Sequence, residues 1–309
     1  MTLSFFPDAD ADALGDAARR AFVSATDPVD VIDGLEVLGP IGTTISLELA
    51  SVIVREGAAA NIDYPFAAAF TVATLLDRMG RTTTGAAELR ACLGDVSATG
   101  DILVPVAPGT RHIAALTENE AHLLDAPVVS DIDADPLKSV AWHRFKPTGQ
   151  PCPGDLRPIA WTLLAAEILG AAERLLERHN EYLKTRKQFG QLIGSFQTLR
   201  HRAATDWVHV EDMRVAIDMA CVLHDSGAPE AEVLSAARIA KAIASDAGPR
   251  VAENAIHAHG AMGFTAETGL QHALIRIRHA SSCLGSPGNH FDAIGRHHIS
   301  SQTENRISP

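Results

Sequence analysis

A mainly α-helical protein with a small β domain is the fold class that the sequence predicts, and three observations predict it. Most of the chain carries apolar residues at the three- and four-residue spacing of an amphipathic helix. Residues 91–150 break instead into short apolar runs, and a proline-rich stretch separates that interval from the long helical pattern beyond it. With 309 residues, 46% of them hydrophobic and 21% charged, the chain can bury a sizeable core as one large or two modest domains.

The elements follow in order. From Asp10 to about Met79 the chain reads as several helices: Leu14, Ala18 and Phe22 share a face, as do Ile45, Leu49 and Val52, and Leu75, Leu76 and Met79 recur after Pro65. Between Ala91 and Lys146 the runs DILVPVAP, HIAALTE, AHLLDAPVV and SVAWHRF are bounded by Gly, Pro, Asp or Asn, which predicts a small, mostly antiparallel sheet. KPTGQPCPGDLRP is a linker, because proline neither donates to a ladder nor continues a helix. Beyond it lie helical runs over 159–189, 195–225, 229–260 and 267–284, joined by short loops, which predicts a C-terminal four-helix bundle. The expected organisation is an N-terminal helical domain over 1–90, a reduced β domain over 91–150, a bundle over 151–300 and a mobile polar tail over 301–309.

Composition excludes several function classes. A net charge of −12 argues against nucleic acid or an anionic membrane surface as partner, although a local basic patch can still hold a phosphate. Cys92, Cys152, Cys221 and Cys283 lie far apart, with no metal-ligand spacing and no disulfide framework, which fits a reducing cytoplasm. The acidic N-terminus is no signal peptide, and no uninterrupted apolar run is long enough to span a membrane. HDSGAP is not a nucleophile elbow and GSPGNH has no strand before it, so serine hydrolysis is set aside.

Two segments carry chemistry. In EYLKTRKQFGQLIGSFQ, residues 181–197, Arg186 and Phe189 fall on one face of the expected helix just before Gly190 ends it. A guanidinium forks onto phosphate oxygens and an aromatic packs on a purine or ribose. Alternatively, Arg186 and Lys187 complement the helix dipole while Phe189 staples the loop. In AIHAHGAMGFTAETG, residues 255–269, Gly260, Ala261 and Gly263 permit close approach where backbone N–H groups are free. His257 and His259 read as helix-end histidines rather than metal ligands.

Taken together and in this order, YLKTRKQFGQLIGSFQ followed by a helix ending in HAHGAMGFTAE resembles the C-terminal helical domain of the acyl-CoA dehydrogenase family. The likeness covers about residues 160–290, with AAEILGAAERLLE before the first motif and CLGSPGNH at the end, while the first 150 residues fit only loosely. The resemblance implies an FAD at a subunit interface, its flavin ring held by one subunit's β domain and its ADP portion by the neighbour's helices. Arg186 would contact the pyrophosphate, Phe189 and Gln191 would line the adenosine side, and the segment from His257 through Gly260 and Ala261 to Gly263 would close on the same cofactor.

The departures matter as much. The flavin-side TEP...GSD-like segment is reduced to LTENEAHLLD, the family's C-terminal glutamate falls where this chain reads LGSPGNH, the alternative position near Ala160 carries no acid, and the usual glutamine is His257. Glu167 and Glu267 remain as weak candidates for the base that takes the α-proton while the β-hydrogen leaves as hydride. The chain therefore resembles the shorter, degenerate subunit of heteromeric acyl-CoA dehydrogenases of bacterial steroid catabolism. That implies a longer partner subunit in an α2β2 heterotetramer, an acyl-CoA substrate with a steroid-derived ring or side chain, and an electron-transfer acceptor. A self-sufficient homo-oligomeric dehydrogenase and a non-catalytic helical interaction protein are the other readings.

Overall fold

The structure, a computed structural model, describes residues 9–24, 29, 33, 38–81, 85–96, 100–107, 109–126, 141–146 and 151–307. It divides into two compact units, Phe6–Leu163 and the residues from Leu164 onward.

In the first unit, helices α1 (Ala9–Ser24), α2 (Leu47–Ala59) and α3 (Phe66–Arg78) precede the sheet. Ala18 and Phe22 are buried on one face of α1, as their spacing requires, and Phe22 meets Phe66 edge to face at 5.5 Å. Ser46 caps α2 by accepting from the Leu49 amide, so Ile45 lies outside the helix, where it bridges to Ile41. Arg19 forks onto the buried Glu56 carboxylate at 2.8 and 2.9 Å. Burial alone would raise that carboxyl; Arg19 and Arg55 outweigh it and hold it below its ordinary value.

Six strands follow: β1 (Ala91–Val96), β2 (Ile102–Val106), β3 (His112–Leu116), β4 (Glu120–Asp125), β5 (Ala141–Phe145) and β6 (Cys152–Pro153), in the order β5-β2-β1-β3-β4-β6. The pairs are antiparallel except β1 with β3. Alternate residues of β2 and β3, among them Ile102, Val104, Val106 and Ile113, form the core, and α3 packs on β1, β3 and β4. The proline-rich linker contributes a short strand of its own, β6, on the edge of β4, where proline's missing donor costs nothing.

The second unit is helical. It holds α4 (Arg157–Thr185) from Leu164 on, then α5 (Gln197–Asp225), α6 (Glu230–His259), α7 (Leu270–Ser282) and α8 (Pro287–Ile307). Pro229, Glu230 and Glu232 open α6 as a first turn should, with acids at the positive end of the dipole. Packing is close: a Cβ on Gly248 of α6 would lie 2.3 Å from the Ile168 side chain of α4. Two ion pairs tie α4 to its neighbours, Glu173 to Arg214 on α5 at 2.7 Å and Glu167 to Arg276 on α7 at 3.4 Å. Helix α8, absent from the sequence reading, begins at Ser286-Pro287, and residues 301–307 of the polar tail continue it. No helix among the described residues is long and apolar enough to cross a membrane, and the four cysteines are free.

Candidate functional site

The first motif is not helical to its end. Helix α4 stops at Thr185, the Arg186 amide still bonds the Tyr182 carbonyl at 2.9 Å, and the chain then turns through a hairpin of β7 (Lys187–Gln188) and β8 (Gln191–Leu192). The expectation that Arg186 and Phe189 share a helix face is thereby corrected. Phe189 and Gly190 form the two-residue turn with φ of 53° and 77°, the positive pair that a tight hairpin demands. Glycine takes that conformation freely, whereas for phenylalanine it is strained by about 1 kcal/mol or more. The Phe189 ring is also 89% exposed and meets Phe196 edge to face, with centroids 6.1 Å apart. Strain and exposure together mark a residue kept for something other than stability.

The second motif ends α6. Gly260 leaves the helix at φ 61°, and residues Gly260–Phe264 fold into a 3-10 turn. That turn lies so close to the helix that a Cβ on Gly263 would stand 2.3 Å from the Ile256 carbonyl oxygen. Ala261 and Glu267 are exposed, the latter in a second 3-10 turn, Ala266–Thr268.

The two motifs meet through His259, read from the sequence as a helix-end histidine, and Tyr182, which sequence reasoning did not single out. The Tyr182 ring stacks on His259 at 4.0 Å and 21°, and the His259 Nδ1 lies 2.7 Å from the Ala255 carbonyl. Since Tyr182 is one turn before Arg186 and His259 directly precedes Gly260, this stack brings the hairpin and the glycine turn to one end of the bundle. Beneath it His179 is 1% exposed with neither ring nitrogen hydrogen-bonded; burial, then the nearby His259, push it down to about 4, so it is neutral. Beside it, Arg202 donates to the His257 Nδ1 at 3.4 Å, and Asn254 donates to Asp206 at 2.8 Å. Asp206 is fully buried, which raises its carboxyl, and its second oxygen has no partner.

Arg186, Phe189, Gln191, His257, Gly260, Ala261 and Gly263 thus lie on segments joined at one end of the bundle. Glu267 follows them closely in the chain, but Glu167 does not belong with them: it sits on α4, roughly 28 Å from Arg186 along the helix axis, and is held by Arg276. Arg186 and Lys187 make no ion pair among the described residues. Among the described residues no cluster of His, Cys, Asp and Glu could hold a metal.

Such a surface offers a forked cation and an exposed ring to an elongated anionic ligand; the Gly260 amide bonds the His257 carbonyl and the turn is 3-10, so the glycine segment offers close approach rather than the free N–H groups that the sequence suggested. Residues 162–299 match the family model described as the acyl-CoA dehydrogenase C-terminal domain. These residues are an acyl-CoA dehydrogenase C-terminal domain. The acyl-CoA dehydrogenase IpdE2 of Mycobacterium tuberculosis is 36% identical to this chain over 154 residues, a match that covers 50% of this chain and 46% of that relative. The chain therefore matches about half the length of that protein. Across the whole chain the fold is shared with a subunit of the ChsE4–ChsE5 complex of Mycobacterium tuberculosis, at TM-score 0.76 and 16% identity, covering 99% of this chain and 100% of that one. It is likewise shared with PigA in its FAD complex, TM-score 0.73 and 16% identity over 95% of this chain and 98% of that one. A variant of the Tcur3481–Tcur3483 steroid acyl-CoA dehydrogenase superposes at TM-score 0.72 with 20% identity over 95% of this chain and 99% of that one. The acyl-CoA dehydrogenase fold is thus that of the whole chain, its middle sheet and N-terminal helices included.

Proposed function

We propose that this chain is a subunit of an FAD-dependent acyl-CoA dehydrogenase that completes the cofactor site of a longer partner subunit. The observation that carries the reading is the joined pair of segments, with an unneutralised Arg186, a strained and exposed Phe189 and the close-folded glycine turn at one end of the bundle. They fit the ADP portion of FAD. Arg186 would fork onto the diphosphate, Phe189 and Gln191 would line the adenosine, and the turn from Gly260 through Ala261 to Gly263 would close on the same portion beside His257. When bound, FAD supplies the acceptor for the hydride that leaves the β-carbon of the acyl thioester.

What these residues do is bind, orient and shield the cofactor. The proton at the α-carbon must go to a carboxylate; Glu167 is engaged by Arg276, Glu267 is exposed, and residues 284–290 contain no acid. The base therefore belongs to the partner. A heteromer is supported by the likeness to the ChsE4–ChsE5 and Tcur3481–Tcur3483 structures, FAD by the PigA complex, and a steroid-derived CoA ester by the Tcur3481–Tcur3483 enzyme. An electron-transfer protein takes the electrons onward. Four free cysteines and an acidic balance fit the cytoplasm.

The test is to produce the chain alone and with a longer acyl-CoA dehydrogenase subunit encoded by a neighbouring gene, then record the flavin spectrum and mass of each species. Flavin held only by a heterotetramer, with two flavins per four chains, is expected; a yellow homo-oligomer of this chain would overturn the subunit reading. In the complex, Arg186→Ala removes a charge-assisted contact of about 1.5–3 kcal/mol and should weaken flavin retention roughly 10- to 150-fold. Unchanged retention would refute the assignment of Arg186.

A further inference from the structure

On α4, Asn180, Leu183 and Lys184 lie three and four residues apart and share one face, whereas Tyr182 projects from the opposite side. That first face borders an open pocket of about 450 Å³, lined also by Leu192 at the end of the hairpin, by Gly194 after it and by Arg200 and Ala203 on the first turns of α5. The size lies within the ~300–1,000 Å³ of small-molecule sites. It is a second concavity, across α4 from the joint that gathers the cofactor-facing segments.

Its chemistry is specific. Leu183, Leu192 and Ala203 give it an apolar floor, and the floor is built tightly: a Cβ on Gly194 would lie 2.7 Å from the Leu183 carbonyl oxygen. Leu192 is 39% exposed, a large apolar surface left open. At the rim stand Lys184 and Arg200, both exposed. Neither makes an ion pair among the described residues, although Glu181 is only three residues from Lys184 and the chain as a whole carries −12. Asn180 adds a half-buried amide with no hydrogen bond among the described residues, whereas the Ser195 hydroxyl is already committed to the Leu192 carbonyl at 2.6 Å.

We propose that this pocket binds a small amphipathic anion: an apolar chain or ring system on the floor of Leu183, Leu192 and Ala203, and a terminal carboxylate or phosphate between Lys184 and Arg200. Two cations lining an apolar cleft suit that combination and neither half alone. A neutral alkyl ligand leaves the cations without a partner, and a bare inorganic anion leaves the floor wet. The site is independent of the cofactor reading, because it uses none of the residues placed against FAD.

The experiment is calorimetric titration of the full chain, and of the complex with its longer partner, using decanoate, decyl phosphate, decanol and inorganic phosphate. Saturable binding of decanoate or decyl phosphate, at least 10-fold tighter than decanol or inorganic phosphate, is expected, and the tighter of the two identifies the head group. The double substitution Lys184→Gln with Arg200→Gln should weaken that binding at least 10-fold while leaving thermal unfolding unchanged. Ala203→Leu, which fills the floor, should abolish it while the two cations remain. Equal binding of decanol, or binding indifferent to both variants, would overturn the proposal. So would binding by the isolated chain that disappears in the complex, since the pocket would then be covered by the partner.

Discussion

Replacing His179 by leucine should leave the protein as stable as before at pH 7.5 and distinctly more stable at pH 5. The ring is 1% exposed and makes no hydrogen bond through either nitrogen, so in the folded state it is held near 4 against 6.5 for an ordinary histidine. Between these values the unfolded chain binds the proton and the folded chain does not. Stability is therefore complete above about pH 6.5 and is lost as pH falls toward 4. Linkage puts the loss from His179 at pH 5 at about 2 kcal/mol, and near 3 kcal/mol at pH 4. For a unit of roughly 150 residues, 2 kcal/mol moves the unfolding midpoint by about 6 °C. Leucine removes the titrating group and keeps the volume, so the drop in midpoint between pH 7.5 and 5 should shrink by that amount. Some acid sensitivity should persist, because burial also pushes His290 down to about 4. Circular dichroism melts of both proteins at the two pH values give the comparison; equal drops would mean that His179 is solvated or hydrogen-bonded and that the buried joint is wrongly described.

Three further outcomes are expected. Phe189→Gly should raise the unfolding midpoint, by relieving about 1 kcal/mol of strain at φ 53°, and should weaken flavin retention in the complex; a melt and a flavin release assay on one sample measure both, and intact retention would remove Phe189 from the site. Gly263→Ala forces a methyl group to 2.3 Å from the Ile256 carbonyl and should cost about 1–3 kcal/mol of stability by overpacking, read by denaturant melts. Glu267→Gln should leave kcat of the complex within a few-fold, since an exposed acid on a 3-10 turn has no role in the proton transfer proposed for the partner; a fall of several orders of magnitude in stopped-flow traces would move the base to this chain.

The sequence by itself determined the long helices, because a helix is a local object. The apolar spacing of α4 to α7 needs no distant contact to be recognised, and neither do Pro229 with Glu230 at one end of α6 and Gly260 at the other. It also displayed both site segments, since arginine, aromatic and glycine residues announce their chemistry wherever they fold. It did not show the turn at Phe189 and Gly190: phenylalanine has no preference for positive φ, so the run through Lys187 and Gln188 read as helix, and only the closing of Ile193 back onto the Arg186 carbonyl made it a hairpin. Helix α8 was overlooked because its face is largely polar, although Ser286-Pro287 is a legitimate start. The parallel pairing of β1 with β3 was equally invisible, as pairing is decided between segments and not within them. How the candidate segments come together was decided in three dimensions. Tyr182 and His259 are far apart in the chain, and nothing in either one's local sequence says that one will stack on the other, with a neutral His179 buried beneath. Periodicity dictates which face of a helix is apolar, but the packing of whole helices decides which polar residues end up facing each other.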